Sequence, residues 1–125
     1  MNKIIIDSIK EVERQLGNHY KENIYQNALF IELNKKNLTC QTEVIVPIYY
    51  DNIQIGFERA DILVYKDNEP HYVIELKSQN QRLNNKEINQ VKKYMINLKC
   101  NEALLVNFYE TLEIIKLNGE SYEKI

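Results

Sequence analysis

The chain has 125 residues, 44% of them hydrophobic and 27% charged, which is the composition of a globular protein with a hydrophobic core. The formal charge is −2, from 16 basic and 18 acidic residues, and this counts against tight, nonspecific nucleic-acid binding by bulk positive charge. No apolar stretch approaches the roughly 20 residues that span a bilayer, and Asp7 places an acid too early for a secretory signal. We therefore expect one domain over residues 1–125, intracellular (cytoplasmic or nuclear), with no membrane partner.

Two helices are predicted at the start of the chain. Apolar residues recur at helical spacing from Ile5 to Leu16, which predicts a helix over residues 3–16 that ends at Gly17-Asn18. A second helical pattern covers residues 20–36. Its apolar residues form two adjacent stripes, with Ile24, Ala28 and Ile31 on one and Tyr25, Leu29 and Leu33 on the other. An apolar face as broad as this predicts a well-buried helix.

Extended segments follow the two helices. Strands are predicted over residues 43–50 and 53–56, joined by a turn at Asp51-Asn52, and Pro47 indicates an edge strand or a bulge. Two further apolar runs, residues 59–65 and 72–77, are joined by a connector of strong turn-forming residues at 66–70. These two runs are predicted to pair as an antiparallel hairpin.

The last third of the chain returns to a helix and then to strands. A loop at residues 78–82 precedes a helix over about 84–98, and the continuous apolar run 103–108 predicts a strand buried on both faces. Residues 111–117 are interpreted as an edge strand. The order of helices, strands, helix and strands predicts an α/β fold with a mixed central β-sheet flanked by helices.

The predicted hairpin carries the residues that indicate chemistry. In strand 72–77, alternation places Glu75 and Lys77 on one face, and the hairpin pairing brings Asp61 beside Glu75. Two adjacent carboxylates repel each other unless a cation lies between them, and oxygen ligands suit Mg²⁺ or Mn²⁺. A lysine beside such a site can orient water or stabilise phosphate charge.

A structural interpretation competes with this one. A Glu-x-Lys pair at a strand end is often a solvated pair that keeps an edge soluble. Asp61 is harder to explain in that way, because it lies inside a run that otherwise belongs to the core. Elsewhere, Cys40 and Cys100 form no CxxC or Cys/His cluster, so we expect two free thiols and no zinc site.

The sequence resembles the PD-(D/E)XK nuclease superfamily, and in particular its small GxxExxY branch, over nearly the whole chain. In that family an acid on an early helix, an Asp beginning a core strand, a Glu-x-Lys on the next strand and a Gln on the following helix form one metal-dependent site. The matching residues here are Glu22, Asp61, Glu75, Lys77 and Gln90.

The residues around these positions also fit the resemblance. Glu22-x-x-Tyr25, Arg59-Ala60-Asp61 and Gln90-x-x-x-Tyr94 are similar to the family's segments. One position departs: the glycine that names the GxxExxY motif is His19, although Gly17 precedes it by two residues. A glycine permits positive φ more readily than a histidine, so the departure concerns the turn before the second helix.

The resemblance implies a restriction-endonuclease-like fold and a metal-dependent DNA nuclease that hydrolyses phosphodiester bonds with a metal-activated water. Mg²⁺ or Mn²⁺ would be held by Asp61 and Glu75, and Glu22 would complete the shell or bind a water ligated to the metal. Lys77 would act on the water and the phosphate, and Gln90 would hold either of them. It also implies nucleic acid as the partner, with DNA favoured over RNA, and a homodimer.

Alternatives stay open for several of these residues and for the whole protein. Arg59 is interpreted as a phosphate contact or as the partner of an acid, and Tyr94 as a substrate contact or as a packing residue. Glu22 and Tyr25 also suit a helix N-terminal acid and a core aromatic. The competing functions are a catalytically silent nuclease-like fold serving as an interaction module, and a purely structural domain with a tyrosine-rich interface.

Overall fold

A computed structural model describes residues 1–125. Two helices come first: α1 (Asn2–Leu16) and α2 (Glu22–Lys35). Three strands follow, β1 (Cys40–Tyr50), β2 (Ile53–Lys66) and β3 (Glu69–Lys77). Helix α3 (Asn85–Asn97) then leads to β4 (Glu102–Asn107), β5 (Glu113–Asn118) and β6 (Ser121–Lys124). None of the three helices is long and apolar enough to cross a membrane.

The six strands form one mixed sheet in the order β1-β2-β3-β4-β5-β6. All neighbours are antiparallel except β3 and β4, which run parallel because α3 connects them. The sheet and its helices confirm the predicted α/β architecture of restriction-endonuclease type. The turns Asp51-Asn52 and Asp67-Asn68 have φ of 50° to 66° at both positions, as two-residue hairpin turns require.

Alternation along β3 divides the core into two layers. Tyr72, Ile74 and Leu76 pack with α1 and α2 on one face of the sheet, whereas Val73 packs with α3 on the other. Strand β4 is buried on both faces, as its continuous apolar run predicts. The helices therefore cover opposite faces of the sheet, and the polar end of β3 lies between them.

Three predictions from the sequence about the strands and α2 are wrong, and one is confirmed. Residues 53–56 and 59–65 are parts of one continuous strand, β2, because β1 pairs with them throughout. Strand β5 is not an edge, since β6 pairs along its outer side. In α2 only one of the two apolar stripes is buried: Ile24 and Ile31 are exposed. By contrast, β1 is the edge strand that Pro47 indicated, with an irregular register at Ile48/Tyr49.

Candidate metal-binding active site

Asp61 of β2 and Glu75 of β3 lie side by side, as the predicted hairpin requires. The Asp61 backbone N–H donates to Glu75 Oε1 at 3.1 Å, and the Leu76 N–H donates to Asp61 Oδ2 at 2.7 Å. Each carboxylate is therefore fixed by the backbone of the other's strand. Glu75 is only 4% exposed, and Asp61 is half-buried.

The side-chain alternation of β2 is irregular around Asp61. Ala60 packs in the core beneath α3, but Ile62 packs in the core beneath α1 and α2, although residues two apart normally share a face. On the neighbouring strand, Glu43 has φ of 53°, and Glu43 and Asp61 are left unpaired between the pairs Thr42↔Ile62 and Val44↔Ala60, with no residue inserted in either strand. Asp61 therefore lies at the point where the side-chain alternation of β2 is broken.

Burial makes the paired carboxylates costly to ionise. It raises the pKa of Glu75 to about 8, and the neighbouring Asp61 charge adds to this effect. Burial also raises the pKa of Asp61 to about 6, against the lowering effect of the Leu76 N–H bond. A cation between the two carboxylates would favour their charged forms. The donor set, hard oxygens with repulsion to relieve, fits a divalent metal ion.

Lys77 and Gln90 complete this cluster. Lys77 Nζ lies 3.7 Å from Glu75 Oε2 and donates a hydrogen bond of 3.3 Å to Gln90 Oε1. The Lys77 side chain is 18% exposed, so its charge sits in a partly desolvated position beside the carboxylates. Strand alternation directs Lys77 toward α3, and α3 brings Gln90 to it. The structure therefore gathers four of the five residues that the resemblance named.

Glu22 occupies the first position of α2. Its charge is close enough to raise the pKa of Asp61 and, less strongly, that of Glu75. No group of three or more His, Cys, Asp or Glu side chains that could hold a metal is gathered in the structure. Glu22 therefore lies near the two strand carboxylates without joining them, and its role as a third metal ligand stays a prediction.

The turn before α2 is held down over the strand ends. Tyr25, fully buried, donates its hydroxyl to the Gly17 carbonyl at 2.7 Å and stacks on Phe108 with ring centroids 4.2 Å apart. The Ser78 hydroxyl, one residue after Lys77, donates to the Tyr20 carbonyl at 2.6 Å. The tyrosine of the motif thus acts as a core aromatic whose polar end fixes the turn.

His19 adopts a backbone conformation that suits glycine. Its φ is 76°, in the left-handed region, and Gly17 two residues earlier has φ of 68° and ψ of −150°. The ring of His19 packs edge-on against Tyr109 at 4.7 Å. The turn therefore keeps the positive φ that a motif glycine would allow, and His19 carries the strain.

Arg59 and Tyr94 flank the cluster differently. Arg59 is exposed, and its guanidinium lies over the Phe57 ring, 5.8 Å from the centroid, without a salt bridge to any acid. Tyr94 is 2% exposed and packs in the core beneath α3. Burial raises the pKa of its hydroxyl above the usual range, and the nearby Glu75, Glu58 and Asp61 charges add to this. The Tyr94 ring packs in the core, and its hydroxyl lies close enough to the acidic site for the charges there to raise its pKa. Its role as a substrate contact stays a prediction.

Asn107 supports the site and was not singled out by the sequence analysis. It lies opposite Lys77 in the parallel β3–β4 pair and is 3% exposed. Its Oδ1 accepts from the Gln79 N–H at 3.1 Å, and its Nδ2 donates to the Gln79 and Gln81 carbonyls at 3.2 and 3.0 Å. This side chain clamps the loop that leaves Lys77. Its sequence signal is an amide at the end of an otherwise apolar run.

Comparison with protein families agrees with this geometry. The model of the PD-(D/E)XK nuclease superfamily matches residues 1–117. This chain belongs to the PD-(D/E)XK nuclease superfamily. Membership supports a nuclease, and therefore a hydrolase that binds nucleic acid, as the class of activity; such nucleases typically use divalent metal ions. No curated protein matches the chain significantly.

Proposed function

We propose that this protein is a metal-dependent DNA nuclease that hydrolyses phosphodiester bonds with a metal-activated water. The observation that supports the proposal best is the pair of carboxylates of Asp61 and Glu75, each bonded to the other strand's backbone and both costly to ionise without a cation. A purely structural site would gain nothing from burying two such acids together.

In this proposal the acidic side chains bind the metal ion and Lys77 acts on the water and the phosphate. Asp61 and Glu75 would hold the Mg²⁺ or Mn²⁺ ion, and Glu22 at the start of α2 would complete its ligands or bind a water on it. The ion, when bound, supplies positive charge for the phosphate oxygens and acidifies water. Lys77 places its ammonium beside the same position, where it orients the attacking water and stabilises the charge that develops on the phosphate.

The remaining residues hold substrate and catalyst in place. Gln90 accepts the hydrogen bond of Lys77 and limits where its ammonium can lie. Arg59 has no acidic partner in the chain, so its guanidinium is free to bind a backbone phosphate. The Tyr94 hydroxyl, buried within reach of the charges of Glu75 and Asp61, is proposed as a second substrate contact. These assignments follow the GxxExxY branch, with residues 1–125 acting as one domain and a homodimer presenting two sites to a duplex.

The proposal is tested by cleavage of labelled single-stranded, duplex and branched DNA, with RNA alongside, in Mg²⁺ or Mn²⁺. The informative variant is Lys77→Ala, and its matched control is Lys116→Ala. Both lysines are about one-fifth exposed, and each lies 3.7 Å from a glutamate oxygen, but Lys116 lies on β5 and pairs with Glu102. We expect cleavage by the wild type and by the control, and its loss in Lys77→Ala.

The opposite result identifies the alternative. A folded wild-type protein that cleaves none of these substrates and binds no Mn²⁺ by calorimetry would be a catalytically silent nuclease-like module. Such a module would keep its partner through both Glu75→Ala and Lys77→Ala, because neither change alters its fold or its outer surface.

A further inference from the structure

The hairpin of β1 and β2 projects beyond the rest of the sheet. Strand β3 pairs with β2 only from Ile62 to Lys66, so residues 53–60 of β2 have β1 as their single partner. We call residues 45–57 the arm. Of the arm residues only Val46, near its base, is buried, in the core beneath α3. A two-stranded hairpin with so little packed on it is marginally stable in water, and the rest of the arm therefore needs a covering surface.

The arm carries a concentration of exposed apolar side chains. Six of the thirteen large hydrophobic residues that are exposed in this protein fall within its thirteen residues, and the other seven are spread over the rest of the chain. Single exposed apolar residues are ordinary, but a contiguous group marks an interaction site. The six are between 53% and 66% exposed: Ile45, Tyr49, Tyr50, Ile53, Ile55 and Phe57.

The charge of the arm selects the kind of partner. Between residues 45 and 57 the only charged side chain is Asp51, at the turn, and there is no lysine or arginine. Affinity for nucleic acid depends mainly on cations that neutralise phosphates. Residues 45–57 offer none, and the cation at the base of the arm is the single Arg59, whose guanidinium lies over Phe57. The complement of the rest of the arm is therefore another apolar protein surface.

The geometry points to a second copy of this chain, and we propose that two copies associate arm against arm about a two-fold axis. In such an arrangement the same patch lies on both sides of the interface, so the apolar surface of one copy contacts the apolar surface of the other. Six half-exposed side chains of this size offer roughly 600 Å² per copy, close to the ~800 Å² that each partner contributes to a standard interface.

The contact is made by the exposed side chains of the arm and not by its open edge. Pro47 has no N–H to donate, and the register of β1 is irregular at Ile48/Tyr49, so the outer edge of β1 is a poor template for another strand. Pro47 lies opposite Phe57, and Ile45 lies two pairs further along on the same face. A contact of these side chains about a two-fold axis uses the same patch on both copies and therefore gives a closed dimer.

This inference rests only on the homodimer in the proposed function, and its test measures mass instead of cleavage. The experiment is sedimentation equilibrium of the full chain from about 1 to 100 µM, a concentration range that detects the weaker dissociation constants found for interfaces of this size. The variant is Ile55→Lys in the arm, and the matched control is Ile96→Lys on α3, because both isoleucines are 66% exposed. Circular dichroism establishes that both variants fold.

We expect a wild-type dimer, an Ile96→Lys dimer of the same affinity, and an Ile55→Lys protein whose dissociation constant rises at least about tenfold, since each dimer then buries two lysines. Phe57→Lys serves as a second arm variant and is expected to do the same. A wild type that stays monomeric at the highest concentration overturns the proposal. So does a dimer that survives both arm variants, because its interface must then lie elsewhere.

Discussion

Glu75→Gln is expected to stabilise the metal-free protein at neutral pH while it removes metal binding. Glutamine keeps the oxygen that accepts from the Asp61 N–H, so the geometry of the strand pair is retained. What changes is the buried charge. Burial and Asp61 raise the folded pKa of Glu75 to about 8, whereas a glutamate in an unfolded chain has a pKa of about 4. The folded protein therefore carries a proton that the unfolded chain has released at pH 7.

The sign and the size follow from proton linkage. Because the folded pKa is the higher one, the wild type has its full stability below about pH 4 and loses it as the pH rises toward 8. A tenfold difference in proton affinity between the folded and unfolded states corresponds to ~1.4 kcal/mol, so the loss of unfolding free energy at pH 7 is at most about 4 kcal/mol. Because Lys77 and solvent lie near the carboxylate, we expect a loss of about 2 kcal/mol. The variant should gain about that much at pH 7 and little at pH 5.

The assay is urea unfolding in EDTA at pH 5 and pH 7, repeated at pH 7 with Mn²⁺. Bound metal should stabilise the wild type by about 3 kcal/mol at a hundred times its dissociation constant, and the variant by much less. Glu113→Gln is the control, because Glu113 is also buried but pairs with Lys124 at 3.3 Å, away from the site. A Glu75→Gln protein that is less stable than the wild type at both pH values, or that keeps the Mn²⁺ effect, refutes the reasoning.

Two further predictions concern the segments that flank the site. His19→Gly should stabilise the protein by about 1 kcal/mol, because φ of 76° strains a histidine, whereas Gly17→Ala should destabilise it, because φ of 68° with ψ of −150° is open to glycine alone; equal effects of the two changes on melting temperature would contradict this. Asn107→Asp removes the donors to the Gln79 and Gln81 carbonyls, so hydrogen exchange should quicken in that loop and not in α1; unchanged exchange there would show that the clamp is unimportant.

The sequence by itself determined most of the helices and strands, and the hairpin that carries the two acids. Helical spacing located α1 and α3 to within one or two residues, because the apolar period is a local property of the chain. Turn-forming residues between β2 and β3 determined the hairpin, and a hairpin with a two-residue turn has a fixed register. The turn register alone would pair Glu75 with Ala60, and a shift of one residue between Val64 and Tyr65 brings Asp61 beside Glu75 instead. The local sequence therefore predicted the hairpin, and the folded sheet decided its final register.

Tertiary structure alone decided what lies around this pair. Gln90 reaches Lys77 because of how α3 packs on the sheet, and the position of the start of α2 decides that Glu22 lies near the carboxylates without joining them. Local patterns carry no information about such distances between distant segments. The same holds for the Asn107 hydrogen bonds and for the pairing of β6 with β5. It also holds for the exposure of the arm, because apolar side chains in a strand predict burial, and only the folded sheet shows that its other strands end before the arm does.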